Sequence, residues 1–127
     1  MRKYLFMACM SLLLAACSTQ EDGQYYRTHP QALQDAVKDC PAKQPTQMSC
    51  KQLADVAIGV NELAYQLQIN PQAFGMKILS IQETLAHQQA SLKANPNQPE
   101  LKLTVQHNEE QLAEYLAIVR WLESPQG

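Results

Sequence analysis

Residues 71–123 read PQAFGMKILSIQETLAHQQASLKANPNQPELKLTVQHNEEQLAEYLAIVRWLE. Apolar side chains recur in this stretch at Phe74, Ile78, Ile81, Leu85 and Leu92, with Gln88 filling the step between the last two. They recur again at Leu101, Val105, Leu112, Tyr115, Val119 and Leu122, with Asn108 filling the step after Val105. Steps of three and four line up on one side of an α-helix, and no part of the stretch alternates with the period of two that a strand requires. Between the two stripes stands Asn95-Pro96-Asn97-Gln98-Pro99, a turn by composition. Two long helices joined so briefly lie antiparallel, packed at about 20°. A turn centred near Pro96 sets Leu85 opposite Asn108 and Gln88 opposite Val105, which leaves the two polar intruders one turn apart. We expect Gln88 and Asn108 to hydrogen-bond across the hairpin and fix its register, because an unpaired buried amide costs about 1–3 kcal/mol.

Toward the N-terminus the same period continues. Ser49 is placed to cap a helix whose apolar residues are Leu53, Val56, Val60, Leu63 and Leu67. Ile69-Asn70-Pro71 interrupts it, with Asn70 as the cap and Pro71 in the first turn of the next helix. Thr28-His29-Pro30-Gln31 opens a shorter helix, with Ala32, Leu33, Ala36 and Val37 on one side, and Cys40-Pro41 stops it. The expectation is an all-α small bundle: three long helices of some 20 to 25 residues plus a short disulfide-tied one at the front, forming one helical domain over residues 25–127. Gly59 and Gly75 fall inside helices, where each costs around 1 kcal/mol against alanine. Each serves either close helix contact or local flexibility.

The first residues carry an address. Arg2 and Lys3 precede a thirteen-residue apolar stretch, Tyr4 to Ala16, which has the anatomy of a secretory signal over residues 1–16. A spanning helix needs roughly 20 apolar residues, and this run stops short of that at Ser18-Thr19-Gln20-Glu21-Asp22. Without Arg2 and Lys3 the basic count falls from 10 to 8 against 12 acids, so the net charge moves from -2 to -4. That balance argues against a nucleic-acid partner. Glycine stands only at positions 23, 59, 75 and 127, too sparsely for a phosphate-cradling loop or a dinucleotide fingerprint. Residues 18–24, STQEDGQ, read as a short polar tether after Cys17.

Of four cysteines, Cys9 leaves with the signal and Cys17 closes it, so Cys40 and Cys50 remain. An even pair at close spacing in an exported chain is the pattern of a disulfide, and the eleven-residue loop it closes is worth about 3 kcal/mol in the chain-entropy model. A zinc site is short of two ligands there, and the spacing is not Cys-x-x-Cys.

Little else carries chemistry. His107, Glu110 and Glu114 share a helical face, with His87 on the preceding helix, but the spacing matches no metal motif and an ordinary solvated surface accounts for it. Neither a Gly-x-Ser-x-Gly elbow nor a spare thiol is present for covalent catalysis. The sequence therefore points away from an enzyme, from a cofactor, from a metal and from a small-molecule substrate. Seventeen glutamines leave the polar faces neutral rather than charged.

Leu14-Ala15-Ala16-Cys17 resembles the lipobox of bacterial lipoproteins. The resemblance implies cleavage before Cys17, acylation of that residue, and membrane attachment through several acyl chains, which hold where one alone binds marginally. Ser18, where an inner-membrane lipoprotein would carry aspartate, implies the outer membrane, periplasmic face first. Cys17, Tyr25-Tyr26, His29-Pro30, Leu33, Cys40, Cys50 and Ala54, in that order, make residues 1–57 resemble EexN/TrbK-type entry-exclusion lipoproteins of conjugative elements. Those stop a cell that already holds an element from receiving another copy. The resemblance implies a binding protein whose partner belongs to a type IV transfer apparatus, with Tyr25, Tyr26, His29, Pro30 and the Cys40–Cys50 loop as the contact surface. The seventy-odd residues of helix after Ala54 depart from that pattern. They resemble instead the pilotins, small helical outer-membrane lipoproteins that carry a secretin subunit by holding one of its segments in a groove, or an accessory subunit of a secretion or conjugation complex.

Overall fold

The structure, a computed structural model, describes residues 22–41 and 48–124. The signal expected over 1–16, Cys17, residues 18–21, residues 42–47 of the disulfide loop and residues 125–127 lie outside that description. The described residues are helical without a strand among them, in five stretches: α1 over 22–28, α2 over Pro30–Asp39, α3 over Cys50–Ile69, α4 over Pro71–Ala94 and α5 over Pro99–Glu123. The three long helices have 20, 24 and 25 residues. None of the described helices is long and apolar enough to cross a membrane.

The front differs from the expectation of one short helix. Asp22, Gly23 and Gln24, read as tether, belong to α1, so two short helices precede the disulfide. Tyr26, Pro30 and Leu33 explain the difference. They follow one another in steps of four and three and all are buried, so the apolar stripe of α2 continues backward through the proline and gives α1 a face to bury. The proline still divides the helices, since the residue before it cannot take α geometry easily; His29 has φ -130° and ψ 69°.

The chain divides into two compact units, residues 1–58 and 59–127. In the first, Tyr26, Leu33, Ala36, Met48, Leu53, Val56 and Ala57 are buried, Leu33 and Leu53 completely. The Cys40–Cys50 disulfide is formed, with the Cα atoms 5.9 Å apart, and links the end of α2 to the start of α3. Ser49 and Gln52 then make a reciprocal cap: the Gln52 amide donates to Ser49 Oγ at 3.1 Å and the Ser49 amide to Gln52 Oε1 at 2.8 Å.

In the second unit α4 and α5 pack along one another as an antiparallel hairpin, closed by residues 95–98. Phe74, Ile81, Leu85, Val105, Tyr115, Ala117 and Ile118 are buried, and the Phe74 and Tyr115 rings meet at 4.7 Å. The expected amide pair is present. Asn108 Nδ2 donates to Gln88 Oε1 at 3.0 Å in a half-buried setting, and one residue further along Gln89 Nε2 donates to Glu109 Oε1 at 3.3 Å. Asn70 caps α4 as expected, its Oδ1 accepting from the Ala73 amide at 3.0 Å.

Replacing Gln88 by Leu strips Asn108 of its partner and lowers stability by about 1 kcal/mol, whereas Gln88→Leu with Asn108→Leu recovers the loss. Urea unfolding of the two variants measures this. A single Gln88→Leu variant more stable than the natural chain would remove the pair from the determinants of the hairpin.

Candidate functional site

Two surfaces offer themselves to a partner, one in each unit. The first is built by the junction of α1 and α2. Tyr25 and His29 stand one helical turn apart and their rings stack, centroids 4.0 Å apart with 17° between the planes. His29 Nδ1 lies 2.7 Å from the Tyr25 carbonyl oxygen, which can only accept, so Nδ1 carries the proton and donates it. The ring is thereby fixed in orientation and, when neutral, its Nε2 is an acceptor. The single Thr28 Oγ1 proton is shared between that same Tyr25 carbonyl at 3.0 Å and the Gln24 carbonyl at 3.2 Å, and Oγ1 sits 3.1 Å from His29 Nδ1.

The four residues named as contacts from the sequence fall into two pairs. Tyr25 is 50% exposed and His29 is exposed, so these two form a surface. Tyr26, at 7% exposure, and Pro30 are interior. Tyr26 meets the Tyr25 ring edge-on at 5.3 Å and 78°, which braces the exposed ring from behind. Burial pushes the Tyr26 phenol above its usual range, with the Asp22 carboxylate and Tyr25 adding to the shift. The spacing Tyr26, Pro30, Leu33 carried the information that would have separated the pairs. Met48, 3% exposed, buries the returning end of the disulfide loop, and residues 42–47 of that loop lie outside the described residues.

The second surface lies wholly within the second unit and was not anticipated. Gln66, Ile69, Asn70, Ala73, Phe74, Lys77 and Tyr115 line a shallow cleft of about 280 Å³. Its wall is apolar, with the Phe74–Tyr115 pair and Ile69, 61% exposed, while Gln66, Asn70 and Lys77 supply the polar part. The volume sits near the lower bound of small-molecule pockets and suits one large apolar side chain rather than a whole helix. Burial raises the Tyr115 phenol above its usual range, and Glu114 adds to it. Because the one-residue break at Asn70 turns the chain at the cleft, no single helix's periodicity displays these residues together.

His87 and His107 are exposed, and among the described residues no group of three or more His, Cys, Asp or Glu is gathered as metal ligands would be. Glu110 accepts from Gln106 Nε2 at 3.1 Å, an ordinary helix-surface contact. Among the described residues every buried side-chain nitrogen and oxygen has a hydrogen-bond partner.

The two buried tyrosines make stability fall in alkali. A phenol whose folded-state value is raised stabilises the fold fully below its unfolded value of about 10, and that contribution is lost as pH rises through the folded value. Denaturation midpoints between about pH 9 and pH 11 should therefore drop for the natural chain and drop less for Tyr26→Phe and for Tyr115→Phe. Equal slopes in all three would show that neither phenol is coupled to folding.

No family model matches this chain, and neither the curated proteins nor the solved structures contain a match to it.

Proposed function

We propose that the chain is an outer-membrane-anchored lipoprotein that works by binding a protein, its role being entry exclusion against conjugative type IV transfer. The lipobox residues Leu14-Ala15-Ala16-Cys17 support the anchor, and the order of Cys17, Tyr25-Tyr26, His29-Pro30, Cys40 and Cys50 supports the role. The observation that carries the binding mode is the exposed Tyr25–His29 stack. A rigid aromatic face beside a fixed ring nitrogen is preorganised, so little freedom is lost when a partner lands on it. The Cys40–Cys50 link fixes the far end of α2 and so serves the same end. The partner is an envelope component of the incoming transfer machine; the membrane is engaged only through the acyl chains at Cys17.

Recipients expressing the chain should accept a conjugative element less often than recipients without it. Tyr25→Ala and His29→Ala, both exposed and cheap to the fold, should each abolish most of that exclusion at unchanged protein level and membrane fractionation. Recipients that mate at full frequency with the natural chain present would sink the role. Full exclusion by both variants would move the contact elsewhere, and full exclusion by a folded, anchored Cys40→Ser/Cys50→Ser variant would remove the loop from it.

One observation favours a second reading. The cleft beside Asn70 has the apolar wall that a pilotin-like or accessory lipoprotein needs to hold a side chain of a secretin segment. In that case crosslinking in cells captures a secretin or an assembly subunit, and Phe74→Ala rather than Tyr25→Ala loses it.

A further inference from the structure

The cleft beside Asn70 carries charge as well as an apolar wall. Of the residues that line it Lys77 alone is charged; it is exposed, and no ion pair among the described residues takes up its ammonium. One turn back along α4 stands Ala73 and, before it, the cap Asn70, so the cleft opens at the positive end of that 24-residue helix. The Ala73 amide is already held by Asn70 Oδ1, which leaves the field of the helix, rather than that amide, to act on a ligand. Tyr115 adds a donor. It is 9% exposed, its ring is packed on Phe74, and its hydroxyl makes no hydrogen bond with the described residues. No buried side-chain oxygen among them lacks a partner, so that hydroxyl reaches solvent, and Tyr115 lines the cleft. All of this lies within the second unit.

An ammonium, a phenol hydroxyl and a helix N-terminus together favour an anion that accepts hydrogen bonds, above all a carboxylate. The apolar part favours one large side chain beside it, with Ile69 and the Phe74–Tyr115 pair as its surfaces. At about 280 Å³ the cleft has room for a single residue, so both groups have to come from that residue. The last residue of a chain meets this demand, because its free carboxylate stands two bonds from its own Cβ. An acid inside a chain is followed by more backbone, and the apolar side chain next to it belongs to a different residue. We propose that the cleft binds the C-terminus of a partner protein that ends in a large apolar residue, the side chain against Ile69, Phe74 and Tyr115 and the terminal carboxylate between Lys77 and the Tyr115 hydroxyl. The proposal rests on reading the cleft as a protein-binding surface, and it is independent of the Tyr25–His29 face, which belongs to the other unit.

The probe is a hexapeptide of glycine and serine ending in phenylalanine, titrated into the full, disulfide-bonded chain while the backbone amide shifts of residues 69–77 are followed by NMR. The free acid should bind about tenfold more tightly than its C-terminal amide, and about tenfold more tightly than the free acid that ends in alanine. Lys77→Met and Tyr115→Phe keep the stem and the ring; each should bring the acid down toward the amide without changing the affinity of the amide. Ile69→Ser, at an exposed position, should weaken both, and Tyr25→Ala neither. Equal binding of acid and amide would overturn terminal recognition while leaving the cleft as a protein-binding surface. So would an amide brought to the level of the acid by an aspartate placed before its phenylalanine. Binding of no peptide up to millimolar concentration, by a chain whose amide spectrum shows it folded, would overturn the proposal and the reading of the cleft with it.

Discussion

Proline at the first position of a helix organises this chain. Pro30, Pro71 and Pro99 each open a helix, and the residue before each is driven out of helical geometry, with φ and ψ of -130° and 69° at His29, -150° and 76° at Asn70, and -130° and 82° at Gln98. The cause is the same three times. The pyrrolidine ring has no amide hydrogen to give the preceding turn and crowds the residue before it, while its own φ suits a helical first turn. A sequence rich in helix formers would otherwise run on without direction. The prolines cut it into segments of defined length, and the segment lengths then decide which faces meet.

Each cut also places a side chain that matters. At Pro30 the non-helical His29 turns its ring back on Tyr25 and donates its Nδ1–H to the Tyr25 carbonyl. At Pro71 the cut leaves Asn70 alone between two helices, capping one of them and lining the cleft at the same time. At Pro99 it leaves residues 95–98, where Gln98 Nε2 donates to the Asn95 carbonyl at 2.9 Å and the Asn95 Oδ1 accepts from the Asn97 amide at 3.3 Å, so the turn satisfies its own backbone. Both candidate surfaces are therefore products of helix starts rather than of helix interiors.

The helical stripes were legible because burial and period agree. Leu53, Val56 and Val60 in α3, Phe74, Ile81 and Leu85 in α4, and Val105 and Tyr115 in α5 are buried where the three-and-four spacing puts them. Gln88 and Asn108 were legible for a related reason: two amides interrupt facing stripes within a turn of each other, near enough for their side chains to meet, and they do. The helical state of Asp22 to Gln24 was not legible, since a polar run with a glycine looks like tether until Tyr26 is recognised as interior. Ile118 was missed beside Val119, because a stripe read in steps of four and three does not say which of two adjacent apolar residues faces inward, and the packing chose Ile118. The cleft was invisible for a different reason. It gathers residues from three helices around a break, and sequence period describes one helix at a time.

The short closure of the α4–α5 hairpin has a kinetic side. Its partners are close in sequence, with Gln88 and Asn108 only 20 residues apart, so the loop entropy lost in bringing them together is small. Folds dominated by such near contacts form in microseconds to milliseconds. The contacts from Pro71 to Glu123 close over short loops and do not depend on the oxidation of Cys40 and Cys50. Oxidation of those thiols proceeds in seconds to hours, so the stapled front matures last. The hairpin contacts thus need no covalent closure, and the support that the disulfide gives the end of α2 does.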